Sequence, residues 1–346
     1  MPAIAVADEL RASGAEVSFL GTRERVEAEL VPAAGYEIDF LKVRGIDRRN
    51  PLRAARAAVE AVAAVGAARK AISRRGADAV LGGGGFVAGP AGLAAVLTRT
   101  PLVLTEADSH LGLANRLLAG RARRVCLAFP IEGRDSARYL LTGRPVPAAV
   151  RSADREAARG RFGIPAGARC LLVMGGSQGA RSVNLAAVAA FAERDGDRDF
   201  HVVHLAGRRD YEELERRLRD APRPDHYTLL AYEPDLGDVL AACDLVLARS
   251  GGSIFELTAA GRPAILVPYP HATADHQSAN ATWMAEAGAA IVVRDEDLTA
   301  ERLAAEVGAL LEDEARLTAM AASSKSLARP DAARRIADEI LRTAGR

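Results

Sequence analysis

Short apolar runs punctuate the chain, and longer alanine-rich stretches with helical spacing of apolar residues lie between them. Residues 16–20, 79–81, 102–105, 125–128, 171–174, 201–205, 245–248 and 264–267 predict strands. Most are apolar on both faces, the pattern of strands buried in a parallel sheet. Helical stretches separate most of them, which is the βαβ alternation of doubly wound α/β folds. The first series runs into Thr142-Gly143-Arg144-Pro145-Val146-Pro147, rich in helix breakers, and a second begins near Arg169. The expected architecture is two Rossmann-like domains, residues 1–146 and 147–328. A closing amphipathic helix within 329–346 is expected to pack back toward the first domain. The chain opens at Met1-Pro2-Ala3-Ile4-Ala5-Val6, already inside a helical pattern.

Composition removes several classes of function. Basic residues number 46 and acidic residues 45, so the chain is not built as a general nucleic-acid binder. Cys126, Cys170 and Cys243 are far apart, with neither zinc-ligand spacing nor a disulfide framework, which fits a reducing cytosol. No secretion signal or run of about 18 apolar residues is present. The charge is uneven, however. Residues 1–150 hold 21 basic against 15 acidic residues, leaving 25 against 30 in the remainder. Ten of the basic residues lie between Lys42 and Arg75. They read either as a solvated loop and helix face or as attraction to anionic lipid headgroups. The larger apolar residues of 52–75 spread around about half the helix, so no insertion face is visible there.

Three glycine turns follow predicted strands: GGGGFVAGP (82–90), GGSQGARSVN (175–184) and RSGGSIFEL (249–257). Each falls where a parallel strand gives way to a helix, the usual ligand edge of an open α/β sheet. Glycine lets backbone approach a ligand, and the free N–H groups of a helix start can hold phosphate. None is a P-loop, since no GK[ST] follows. Tight strand–helix packing alone explains any one of them. Three in one chain point to a cleft between domains with nucleotide-like chemistry.

Glu256 falls in the first turn after the third loop, as a helix-start acid or as an acceptor for ribose hydroxyls. Ser177 and Gln178 are loop polar groups or donors to a diphosphate. His271 and His276 flank Asp275 at a spacing that does not suit one helix face, so no metal is expected.

With these pieces placed, the chain resembles the UDP-N-acetylglucosamine:N-acetylmuramyl-(pentapeptide) pyrophosphoryl-undecaprenol N-acetylglucosaminyltransferases, which are GT-B enzymes. The stretches that carry the resemblance are PAIAVADEL, VPAAGYEIDFLKVRGI, GGGGFVAGPAGLAA, GGSQGARSVN, RSGGSIFELTAAGRPAILVPYPHATADHQSANA and MAEAGAAIVV. The resemblance implies an inverting, metal-free transfer from UDP-GlcNAc to the C4 hydroxyl of the lipid-linked muramyl-pentapeptide, at the cytoplasmic face of the membrane. UDP-GlcNAc is then a substrate and no cofactor is expected. It further implies that Glu256 holds the ribose and that Ser177, Gln178 and Ser253 lie along the donor. His276 and Gln277 stand where the family often has two glutamines for the GlcNAc hydroxyls. Gly84, Gly85, Phe86, Glu106, Asn115, Asn184 and Arg249 match glycine-loop and polar positions of the family cleft.

The departures are specific. Phe86 replaces a tyrosine, and the family's HEQN segment reads Thr105-Glu106-Ala107-Asp108. Pro147 stands where the family has an arginine. Family members also open with a strand and a GGTGGH-like loop before the first helix, and that loop carries a histidine favoured as general base. The expected reading is a start codon assigned too far downstream. Asp108 and His110 are the candidate bases among the residues present, although His110 reads first as a helix-start polar group. The alternatives are a GT-B enzyme with another lipid or small-molecule acceptor and a nucleotide-sugar-binding protein without catalysis.

Overall fold

A computed structural model describes residues 2–43, 51–176, 179–193, 200–222, 225–272 and 275–345. The elements of the first half are α1 (Pro2–Ala12), β1 (Ser18–Gly21), α2 (Glu27–Ala33), β2 (Glu37–Phe40), α3 (Pro51–Arg75), β3 (Val80–Gly82), α4 (Gly85–Thr98), β4 (Leu102–Glu106), α5 (Leu113–Leu118), β5 (Arg124–Leu127) and β6 (Tyr139–Leu141). There follow α6 (Ala149–Ser152), α7 (Arg155–Arg161), β7 (Arg169–Met174), α8 (Arg181–Phe191), β8 (Phe200–Leu205), α9 (Tyr211–Arg219), β9 (Tyr227–Leu230), α10 (Leu236–Ala242) and β10 (Leu245–Ala248). The chain then forms α11 (Ile254–Ala259), β11 (Ala264–Leu266), α12 (His276–Glu286), β12 (Ala290–Val292), α13 (Ala300–Glu312), α14 (Glu314–Ser326) and α15 (Ala332–Ala344). The chain divides into two compact units, residues 1–146 with 329–346 and residues 147–328.

The second unit holds a six-stranded parallel sheet in the order β12-β11-β10-β7-β8-β9. The order of succession reverses between β7 and β10, which is the doubly wound arrangement with its switch point there. Leu171, Val173, Leu245, Leu247 and Ile265 are fully buried on one face of these strands, packed with Val183, Ala187 and Phe191 of α8 and Val307 and Leu310 of α13. Small alanines on α8 let the helix sit close to the sheet, which is how a chain poor in aromatics fills its core.

The first unit is also parallel throughout, but its strands fall into two groups, β3-β4-β5-β6 and β1-β2. Alanines of α3 and α4 cover one face with Leu102, Leu104 and Val125. On the other face Val6 and Leu10 of α1 meet Ile336, Ala337 and Ile340 of α15, over Val103 and Cys126. Arg124 adds an ion pair to the buried Glu339 of α15 at 3.0 Å. Four strands escape the sequence pattern: β2, β6, β9 and β12.

A polar network lies inside the second unit. His204 Nδ1 is 2.8 Å from the Tyr227 hydroxyl and its Nε2 is 3.0 Å from Asn184 Oδ1. Asn184 Nδ2 donates to Ala206 O and to Asp210 Oδ2. Burial pushes the His204 imidazole down to about 3 and the Tyr227 phenol upward. The folded protein keeps His204 neutral to about pH 3, whereas an unfolded imidazole takes its proton near 6.5. Its contribution to stability is therefore complete above pH 6.5 and is lost as pH falls below it, by up to about 1.4 kcal/mol per pH unit. Urea unfolding followed through the single tryptophan, Trp283 of α12, at pH 7 and pH 5 checks this. The wild type is expected to lose more stability than His204→Gln over that interval, and equal losses refute the assignment.

Candidate functional site

In the second unit the chemistry gathers at the carboxyl ends of β7 and β10, on either side of the switch point. The loop after β7 is pressed against its own backbone and against the end of β8. Gly179 has φ +74°, and a Cβ there would stand 2.5 Å from Ala206 O, so only glycine fits. Ser177 and Gln178, expected along the donor, lie outside the described residues.

The loop after β10 leads through Ser253 into α11, whose first turn carries the half-buried Glu256. Ser253 makes no side-chain capping bond to its helix. This loop is tied to the start of α12 in both directions. Ser250 Oγ donates to Gln277 O at 2.7 Å, and Asn280 Nδ2 donates to Ser250 O at 2.9 Å. Gln277 Oε1 accepts from Tyr269 N at 3.0 Å, which turns Nε2 toward Gly251, 3.7 Å from where a Cβ would lie. His276 is the half-buried first residue of α12, preceded by Asp275 in the left-handed region at φ +51°. The structure thus brings Ser253, Glu256, His276 and Gln277 onto two connected segments.

Two of the residues expected at the donor and the cleft are held by partners inside the second unit. Arg249 is buried and its guanidinium is engaged internally: Nη1 donates to Val267 O and Pro268 O and pairs with Asp295 Oδ1 at 2.6 Å. Its Nη2 donates to Ser182 Oγ, which itself donates to Asp295 Oδ1. Arg249 therefore joins the ends of β10 and β11 to the first turn of α8 and does not stand as a free cation. Asn184, expected in the cleft, is fully buried in the His204 network. Sequence reasoning missed Ser182 and Asp295, because Asp295 lies 46 positions beyond Arg249 in a run of acids that reads as any solvated turn.

In the first unit the corresponding loop follows β4. Glu106 is buried, and its carboxylate accepts from Ala107 N, Asp108 N and Gly112 N at 3.0, 3.2 and 2.8 Å. Asn115 Nδ2 donates both to Glu106 Oε2 and to Thr105 O. Glu106 and Asn115, expected at the cleft, form the frame of the 107–112 loop. Asp108 and His110 ride on that loop, half-exposed. At the neighbouring end of β3, Gly84 and Gly85 take φ +81° and +73° with open space at their Cβ positions. Phe86 is exposed beneath the Arg25 guanidinium, 5.1 Å from its ring centroid. Among the described residues no group of three or more His, Cys, Asp or Glu side chains is gathered as a metal site.

Solved structures place this architecture. Acinetobacter baumannii MurG is 29% identical and superposes with a TM-score of 0.76, covering 99% of this chain and 95% of that one. The calicheamicin glycosyltransferase CalG4, 22% identical with a TM-score of 0.71, shares the fold. Two α/β units with loops gathered at their strand ends thus define a GT-B glycosyltransferase fold. Residues 1–127 match the glycosyltransferase family 28 N-terminal domain and residues 170–336 its C-terminal domain. A UDP-N-acetylglucosamine–N-acetylmuramyl-(pentapeptide) pyrophosphoryl-undecaprenol N-acetylglucosamine transferase of Moorella thermoacetica is 40% identical over 99% of this chain and 95% of that protein. Its counterpart in Methylococcus capsulatus is also 40% identical, over 99% and 95%. The chain belongs to glycosyltransferase family 28, in the group those transferases form.

Replacing Glu106 by glutamine puts an amide donor where three backbone N–H groups need an acceptor. Glu106→Gln is expected to cost about 2–3 kcal/mol of stability and to speed amide exchange at Ala107, Asp108 and Gly112 by at least about tenfold. Unchanged exchange at those amides refutes the scaffolding role.

Proposed function

We propose that this chain moves N-acetylglucosamine from UDP-GlcNAc to the C4 hydroxyl of the undecaprenyl-pyrophosphoryl N-acetylmuramyl-pentapeptide, with inversion and release of UDP. The observation that carries the reading is the convergence of two glycine loops, Glu256 and Gln277 at the switch point of the second unit, in a chain 40% identical to transferases so named. Glu256 accepts from the ribose hydroxyls, and the Ser177–Gln178 turn with Ser253 lies along the diphosphate. Gln277 and His276 meet the GlcNAc hydroxyls. Backbone N–H groups of the loop after β7 stabilise the charge that develops on the departing diphosphate. The acceptor hydroxyl must lose a proton, and Asp108 or His110, on the loop framed by Glu106, supplies the base. UDP-GlcNAc is consumed as a substrate, and no cofactor enters.

The acceptor is a lipid, and we further propose that the first unit docks on the anionic cytoplasmic membrane surface. No helix among the described residues is long and apolar enough to cross a membrane. Five of the ten large exposed apolar side chains among the described residues lie on α4 and α5. Phe86, Leu93 and Leu97 recur at spacings of seven and four along α4, so they share a face, with Phe86 50% and Leu97 52% exposed. Leu113 and Leu117 do the same on α5, Leu117 being 72% exposed. Close approach at Gly89–Ala114 and Gly92–Leu118 sets the two helices side by side. Exposed Arg116, Arg121 and Arg123 follow within a few residues. These side chains support a docking face on α4 and α5 rather than on the basic stretch 42–75, part of which lies outside the described residues.

Purified protein incubated with UDP-GlcNAc and the undecaprenyl-linked muramyl-pentapeptide is expected to yield the disaccharide lipid and UDP, and failure to turn over this pair refutes the acceptor assignment. Glu256→Ala is expected to weaken UDP-GlcNAc affinity by about a hundredfold, as loss of charged hydrogen bonds to two hydroxyls requires. Unchanged donor affinity removes the ribose role. For the membrane face, the double variant Leu93→Ser, Leu117→Ser is expected to bind vesicles containing anionic lipid at least about tenfold more weakly. Equal binding by wild type and variant overturns the patch.

A further inference from the structure

The connection between α5 and β5 concentrates positive charge in one place. Residues 120–124 read Gly-Arg-Ala-Arg-Arg, and together with Arg138 they line an open cavity of about 480 Å³. Four guanidinium groups line it, and no carboxylate is among the described residues that do so. Small-molecule sites occupy roughly 300–1,000 Å³, so there is room for more than a lone ion. Backbone bonds fix where the cavity lies. Arg123 N donates to Leu102 O and Val125 N donates to Arg138 O, so it opens at the amino ends of β4, β5 and β6. The loop of Asp108 and His110 leaves the opposite end of β4, a strand of five residues. At about 3.3 Å per residue that separates the two by roughly 15 Å along the strands.

Two of the arginines are held in place and two are not. Arg138 Nη1 donates to Ala119 O at 3.1 Å, and Arg124 Nε donates to Glu339 Oε2 at 3.0 Å. Each bond takes one of the five N–H donors of its guanidinium. Glu339 is also paired with Arg342, so a single carboxylate is shared by two cations. Arg121 and Arg123 are exposed, with no hydrogen-bond or ion-pair partner among the described residues. Other exposed arginines are answered by acids, as Arg181 is by Glu213 and Arg294 by Glu296 and Asp297. Like charges around one opening repel, so this arrangement costs stability until an anion enters. The number of donors indicates which anion. A carboxylate brings two oxygens and one charge, whereas a phosphate brings three oxygens and up to about two charges. Guanidinium forks match phosphate oxygens in pairs.

We propose that Arg121, Arg123, Arg124 and Arg138 form a binding site for a phosphate-bearing ligand, apart from the residues assigned to the transfer. Arg124 and Arg138 are its preset wall, and Arg121 and Arg123 close on the phosphate oxygens. Leu117 of the apolar face lies three residues before Gly120, so a lipid headgroup is one source of the phosphate. A soluble phosphate ester is the other, since the cavity is open. Only the lipid source rests on the docking reading above.

Modification of arginines by phenylglyoxal, mapped by peptide mass spectrometry on the full chain, reads the site residue by residue. Inorganic pyrophosphate is the soluble probe, and vesicles of phosphatidylcholine mixed with phosphatidylglycerol are the lipid probe. Saturable slowing of modification at Arg121 and Arg123 by at least about tenfold is expected, with the exposed Arg219 unaffected. Protection by pyrophosphate supports the site with a soluble phosphate as ligand, and protection by the anionic vesicles alone supports it with a headgroup. Protection by neither probe overturns the proposal, as does equal protection by sodium chloride of the same ionic strength or by pure phosphatidylcholine vesicles. Pyrophosphate is expected to protect equally in the Leu93→Ser, Leu117→Ser variant, so failure of the docking face leaves this result standing. Without ligand, the double variant Arg121→Gln, Arg123→Gln is expected to unfold at the same or a higher temperature than wild type. A lower temperature assigns the arginines to the fold and overturns the site.

Discussion

A parallel strand buried on both faces delivers its chain into a loop whose amides have left the ladder, and each of those amides needs an acceptor within reach. This constraint governs the ends of both sheets. Glu106 meets it after β4 with three backbone donors on one carboxylate. After β1 the Glu27 carboxylate accepts from both the amide and the hydroxyl of Thr22. Asp244 receives the amide of Cys170 where β7 begins, and Arg155 neutralises it at 2.6 Å. At the ends of β10 and β11 the sign is reversed, and the Arg249 cation supplies donors to the carbonyls of Val267 and Pro268.

Side chains that perform this service are held within their own unit, which sets them apart from the half-exposed polar groups beside them. Glu106, Asn115, Asn184 and Arg249 are buried and hydrogen-bonded within their own unit. Asp108, His110, Ser253, His276 and Gln277 are half-exposed on the segments those residues hold. A charged group buried with all its partners is costly to remove, because the partners are left without compensation. Loss of activity on replacing a framework residue therefore reports first the geometry of its loop.

Much of the fold was legible in the sequence. The apolar runs at 102–104, 171–174 and 245–248 are buried on both faces, as their unbroken apolar pattern predicts. The strands that escaped lie where that signal fails. Glu37–Phe40 alternates polar and apolar residues, as a half-exposed edge strand does, and Tyr139–Leu141 and Ala290–Val292 are three residues each. At the site, glycine turns announced the loops because only glycine tolerates their backbone. The roles of Arg249 and Asn184 were not legible, since the partners that claim them, Asp295 and His204, are close in space and remote in sequence. Residue type announces polarity, but burial decides whether that polarity is spent inside the protein.

The pairing of α15 with α1 has a consequence for how the molecule is made. Residues 147–328 form a continuous stretch of chain, whereas the unit to which α1 belongs is completed only by 329–346. On a ribosome adding roughly 5–20 residues per second, synthesis of the intervening stretch takes roughly 9–36 s. Throughout that interval the apolar flank of Val6, Leu10, Val103 and Cys126 waits without Ile336, Ala337 and Ile340 to cover it. The second unit can finish folding while its neighbour is still open. The nascent chain therefore carries an uncovered apolar surface for many times the duration of local folding.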